Sequence, residues 1–134
     1  MIYRAMLDTN IVSNALRYPN GSAANVMTLP GQPPVCVSVI VAAELRFGAQ
    51  KLGSARLVNQ IIGVLDTIDV LPLEANVAQR YAEIRVALEA LGKPIGPHDL
   101  LIAAHALALD LPLVTDNIRE FSRVPNLRVE NWLD

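Results

Sequence analysis

Ile2-Tyr3-Arg4-Ala5-Met6-Leu7-Asp8-Thr9-Asn10-Ile11-Val12 is an apolar segment that runs without a spacer into three helix-capping residues. Ile2 to Leu7 predicts a strand, and Asp8, Thr9 and Asn10 supply side chains that satisfy the free N–H groups of a helix over Ile11 to Leu16. The same grammar recurs along the chain. Val35 to Val37 predicts a short buried strand ending at Ser38, followed by a helix from Val39 to Lys51. Ile68 to Leu71 predicts a third strand, then a helix from Glu74 to Leu91. Val77, Tyr81, Ile84, Leu88 and Leu91 keep a 3,4 spacing in that helix, and Gly92 ends it. Leu113 to Thr115 predicts a fourth strand and Arg128 to Glu130 a fifth at the sheet edge. Three further helices are expected: one capped by Ser22 through Leu29, one over Ala55 to Leu65, and a buried one over Asp99 to Leu109. Parallel strands need crossover connections, so this order predicts a three-layer α/β/α sandwich with a mostly parallel central sheet.

The chain has 134 residues, of which 52% are hydrophobic and 18% charged. That length suits one domain over residues 1–134, and the composition lies far from that of disordered chains. Pro19-Asn20-Gly21, Pro30-Gly31, Pro33-Pro34 and Gly96-Pro97 separate elements rather than domains. A net charge of -2 excludes a broad basic surface for nucleic acid, so any such contact must be local. Arg4 and Asp8 interrupt the apolar start as no signal peptide would allow, and the longest apolar run, Leu100 to Leu109, is broken by His105 and too short to span a bilayer. The single Cys36, set between valines, fits a buried strand in a reducing cytoplasm. Leu, Val, Ile and Ala carry a mean hydropathy of +0.34, which predicts an oligomer or an obligate partner.

Acids that follow the strands of an open α/β sheet lie where such folds build their sites. Asp8 follows Ala5-Met6-Leu7, and Asp116 follows Leu113-Val114-Thr115; each could also simply cap the next helix. Glu44 lies in an apolar helix, where a carboxylate needs an answering group, unless it faces solvent beside Arg46 or Lys51. Asp99 opens the most apolar helix of the chain, a position that the helix dipole alone would also favour. Converging, these four carboxylates would repel one another, and an oxygen-only ligand set points to Mg²⁺ or Mn²⁺. Such ions promote displacement at phosphodiesters. His105, enclosed by Ala104, Ala106 and Leu107, reads as a packing histidine, and His98 as a loop histidine. No Gly-rich phosphate loop or nucleophile elbow supports NTP or acyl chemistry.

Four segments in order carry a resemblance over nearly the whole chain: Leu7-Asp8-Thr9-Asn10, Ala43-Glu44-Leu45-Arg46-Phe47-Gly48, Gly96-Pro97-His98-Asp99-Leu100-Leu101-Ile102-Ala103-Ala104-His105-Ala106, and Leu113-Val114-Thr115-Asp116-Asn117-Ile118-Arg119-Glu120-Phe121. They resemble the PIN-domain ribonucleases and, within them, the VapC toxins of bacterial toxin–antitoxin pairs. The resemblance implies a Mg²⁺-dependent endoribonuclease, a homodimer, an RNA substrate with tRNA among the candidates, and a VapB-type antitoxin whose tail occupies the site. It makes Asp8, Glu44 and Asp99 metal-binding acids. For the fourth position, the spacing to Phe121 favours Asn117, whereas charge favours Asp116, since a carboxylate binds Mg²⁺ more strongly than an amide. Asp116 is the preferred fourth ligand, with Asn10, Thr115 and Asn117 in support. A non-catalytic PIN-fold module that binds RNA or protein and a metal-dependent phosphatase are the alternatives. Retention of Asp8, Glu44 and Asp99 disfavours the first, and inertness toward phosphomonoesters would exclude the second.

Overall fold

β1 (Ala5–Leu7) occupies the middle of a five-stranded sheet of order β3-β2-β1-β4-β5, every neighbouring pair parallel. The structure is a computed structural model describing residues 2–133; the terminal residues of the expected domain, Met1 and Asp134, lie outside the described residues. β2 (Val35–Ser38) and β3 (Asp69–Leu71) extend the sheet to one side, and β4 (Leu113–Val114) and β5 (Val129–Glu130) to the other. All three residues of β1 and all four of β2 are buried, as strands covered by helices on both faces require. Cys36 is among them, as expected, and burial pushes its thiol up to about 12, which leaves it unreactive.

The connecting helices are α1 (Thr9–Arg17), α2 (Ser22–Met27), α3 (Val39–Lys51), α4 (Ala55–Leu65), α5 (Asn76–Ala90), α6 (Pro97–Ala108) and α7 (Ile118–Phe121). α3 packs on α4 and α5 on α6, and one buried core joins helices and sheet. Gly92 ends α5 with a left-handed φ of 67°, and the Lys93 N–H closes the turn on the Leu88 carbonyl.

Apart from α7, a four-residue helix to which the sequence assigns no range, the element order stands as expected and the differences are local. β1 begins at Ala5 rather than Ile2, whose side chain is exposed. α1 begins at Thr9 because Asp8 alone is the cap. Ser22 does not cap α2; Gly21 holds that position, and the Ser22 hydroxyl donates to the Trp132 carbonyl at 2.9 Å. α2 ends at Met27 rather than Leu29, and α5 runs from Asn76 to Ala90 rather than from Glu74 to Leu91. α6 begins at Pro97, two residues early, since proline tolerates the first helical position. β4 stops at Val114, and Thr115 turns its hydroxyl toward Asp8.

Candidate active site

The chain leaves β1 toward β2 on one side, and β4 lies on the other, so the carboxyl ends of β1 and β4 flank the point where the winding reverses. Crevices at such points are where open α/β sheets bind ligands. Asp8 stands there, only 5% exposed. Its Oδ1 accepts the Thr9 N–H at 2.8 Å as the cap of α1, and its Oδ2 accepts the Thr115 hydroxyl at 2.8 Å and Asn10 Nδ2 at 3.3 Å. Burial pushes the Asp8 carboxyl up; the bonds from Thr115 and Thr9 oppose this, and the charges of Glu44 and Asp116 reinforce it.

α3 brings Glu44 to the same end of the sheet. Its Oε1 accepts the Thr9 hydroxyl at 2.7 Å, and its Oε2 lies 3.5 Å from Nδ1 of His98. Asp99, in the first turn of α6, is pushed up to about 7 by burial first, then by Glu120, Asp8 and Glu44. Asp99 thus feels the charges of Asp8 at the cap of α1, Glu44 of α3 and Glu120 of α7.

Glu120 is the residue that sequence reasoning missed. Its Oε2 accepts Asn117 Nδ2 at 2.8 Å, and its Oε1 accepts the Gly96 N–H, at the cap of α6, at 3.4 Å. A one-turn helix carrying an acid three residues after an asparagine reads as surface, and only the neighbouring Asn117 hinted at the site. Asp116 is exposed, with its N–H donating to Asn10 Oδ1 at 3.2 Å; its charge reaches Asp8 but does not figure among those acting on Asp99. Asn117 orients Glu120 and directs its N–H to Thr115 Oγ1 at 3.0 Å. His105 lies away from the acids, bonded to Ser38.

The donors are all oxygens, and the side-chain charges that act most on Asp99 are all negative, which is the environment a hard divalent cation relieves. Among the described residues no three His, Cys, Asp or Glu side chains are close enough to hold a bare ion unaided. Mg²⁺ needs no such cage, since it keeps several waters and binds through one or two carboxylates together with substrate phosphates.

The metal-free protein should show this repulsion as a pH dependence. In the unfolded chain Asp99 releases its proton near 3.8, whereas in the folded chain it holds it to about 7. Between those values the unfolded state binds fewer protons, so stability falls as pH rises and levels off above the folded value. Thermal unfolding across this window should lower the wild-type midpoint relative to Asp99→Asn, and Mg²⁺ should narrow the gap. Parallel profiles for the two proteins would show that Asp99 is not strained.

A model of the family described as "PIN domain" matches residues 5–127. "Ribonuclease VapC2" of Rickettsia felis is 40% identical over 134 residues, covering 98% of this chain and 98% of that protein. "tRNA(fMet)-specific endonuclease VapC" of Shigella flexneri is 39% identical over 128 residues, 95% of this chain and 96% of that protein. Among solved structures, DNA-bound VapBC from Salmonella typhimurium superimposes with a TM-score of 0.90 at 34% identity, covering 97% of this chain and 98% of that one. VapBC2 from Rickettsia felis, bound to a DNA fragment from the promoter, gives 0.87 at 39% identity, covering 98% and 99%. The chain therefore belongs to the PIN-domain family, in its branch of VapC ribonucleases. Its activity is that of a ribonuclease toxin, a hydrolase of RNA, in a family whose nucleases generally depend on a divalent metal.

Proposed function

We propose that this ribonuclease is a Mg²⁺-dependent endonuclease of tRNA, with Mn²⁺ as a substitute, restrained by a VapB-type antitoxin. The observation that carries the metal dependence is the gathering of Asp8, Glu44 and Glu120 around Asp99. One or two of these carboxylates, Asp99 first among them, would hold the metal together with its waters, the others lending charge and Asp116 standing at the outer edge. When bound, a divalent cation stabilises charge developing at the phosphodiester and promotes attack by water. The protein's own groups keep the acids in place. The bonds from Thr115 and Thr9 offset part of the upward push that burial exerts on the Asp8 carboxyl, the Thr9 hydroxyl fixes one oxygen of Glu44, and Asn117 fixes Glu120. The tRNA assignment draws on the relative named for that substrate. It also suits a surface with no broad positive charge, because a folded RNA is recognised through local loops.

Glu44 lies between two clefts. One, of about 450 Å³, is lined by Leu16, Leu45, Leu52, Leu57 and Ile61 and reaches the acids past Thr9 and Arg17. An apolar antitoxin segment would seat there and place a cationic side chain among the carboxylates. On the other side, Ile40, Ala43 and Phe47 form an apolar face of α3, with Phe47 65% exposed, which a second copy of the chain would cover. Action on tRNA places the protein in the cytoplasm, where a lone thiol stays reduced.

Purified protein should cut tRNA with Mg²⁺ or Mn²⁺ and stop in EDTA, and addition of the operon's antitoxin should suppress the cut. Full cleavage in EDTA would exclude the metal, and equal cleavage of unstructured RNA would exclude tRNA selectivity. Light scattering should give a dimer that Phe47→Asp dissociates; a monomeric wild type would remove the assignment of that face.

A further inference from the structure

β2 ends on a buried polar pair that none of the proposed site chemistry uses. Ser38 is the cap of α3, its Oγ accepting the Ile40 N–H at 3.2 Å, and it is fully buried. Nδ1 of His105, in α6 and 1% exposed, lies 2.8 Å from the same oxygen. The backbone of Pro72, just beyond β3, lies near the same ring.

The Ser38 oxygen accepts the Ile40 N–H and keeps its own proton to donate to Nδ1. A neutral ring has one N–H, which in that arrangement sits on Nε2. Burial lowers the His105 pKa and keeps the ring neutral, against the opposing charge of Glu74. Neither Ser38 nor His105 is among the buried side-chain polar atoms left without a partner in the described residues.

A satisfied buried polar pair contributes little net stability compared with apolar side chains of the same volume; what it adds is direction. Here the direction joins the two helices that carry acids. Glu44 lies six residues after Ser38 on α3, and Asp99 six residues before His105 on α6. Six residues span roughly 9 Å of helix axis, so a slip or rotation at the pair moves each acid with its helix. α3 and α6 pack against each other at this junction. We propose that His105 is a positioning residue which, through Ser38, sets the separation of Glu44 and Asp99. The role presupposes the metal-dependent ribonuclease reading above.

The test uses His105→Leu, Ser38→Ala, the double variant and Ser38→Thr, which keeps the hydroxyl. Each is measured for Mn²⁺ binding by electron paramagnetic resonance in the absence of RNA, for kcat and KM on tRNA, and for folding by circular dichroism. His105→Leu and Ser38→Ala should each weaken Mn²⁺ binding and lower kcat by about 10- to 100-fold, the usual cost of losing a residue that orients metal ligands, with KM little changed. The double variant should be no worse than either single one, and Ser38→Thr should resemble the wild type. Wild-type Mn²⁺ affinity and kcat in folded His105→Leu would overturn the role. If that variant does not fold, wild-type values in Ser38→Ala would overturn it equally, as would additive losses in the double variant. Failure of the wild type itself to bind Mn²⁺ or cut RNA would instead count against the ribonuclease site as assigned.

Discussion

Asp99→Asn is expected to lose tRNA cleavage by more than the roughly 100-fold that removing a residue merely supporting a metal ligand can cost. The substitution removes a charge at nearly constant volume from the point where burial and three other acids act together. It should not unfold the protein. The native carboxyl is already held far above its ordinary value, so the amide relieves repulsion and the metal-free variant should melt higher than the wild type above neutral pH. Loss of function with a gain of stability is the signature of a group kept for its chemistry. Glu120→Gln should follow the same pattern, since Glu120 is the strongest charge acting on Asp99, whereas exposed Asp116→Asn should cost much less. Cleavage rates against Mg²⁺ concentration, paired with thermal melts, decide both points. A folded, active Asp99→Asn would remove Asp99 from the site, and a larger loss in Asp116→Asn than in Glu120→Gln would restore Asp116 as the fourth acid.

Phe121→Ala should also abolish activity, but by unfolding. Phe121 ends α7 and is completely buried, the largest side chain in the core to be so. Truncating a buried phenylalanine costs about 3–5 kcal/mol, a large share of the roughly 5–15 kcal/mol that holds a domain together. The damage lands on the site as well, because α7 carries Glu120 and follows Asn117. Denaturant unfolding should show a lowered midpoint with an unchanged slope, and saturating Mg²⁺ should restore little activity at 37 °C. A loss below about 1 kcal/mol would mean that the core closes over the missing ring and that α7 is held by its hydrogen bonds instead.

Much of this protein is legible from short stretches of chain, because caps, breakers and apolar spacing act between residues a few positions apart. Asp8 caps α1 within its own segment, Gly92 ends α5 through its own φ, and the strand–helix alternation required parallel crossovers. Asp8, Glu44 and Asp99 could be singled out because each carries a charge in an apolar setting. The nearness of Glu120 to Asp99 could not be read in this way. Glu120 and Asp116 are both acids beside a short helix, and local rules favour whichever directly follows the strand. The choice between them depends on where α7 lies relative to the cap of α6, 24 residues earlier in the chain. The same holds for Thr115, which reaches Asp8 across 107 residues, and for His105, which reaches Ser38 across 67. Local sequence determined most of the elements and singled out Asp8, Glu44 and Asp99 as candidate acids. The strand order, which sets β4 beside β1 and lays α6 across α3, decided which polar groups meet, since a hydrogen bond or a repulsion acts over a few ångströms of space irrespective of separation along the chain.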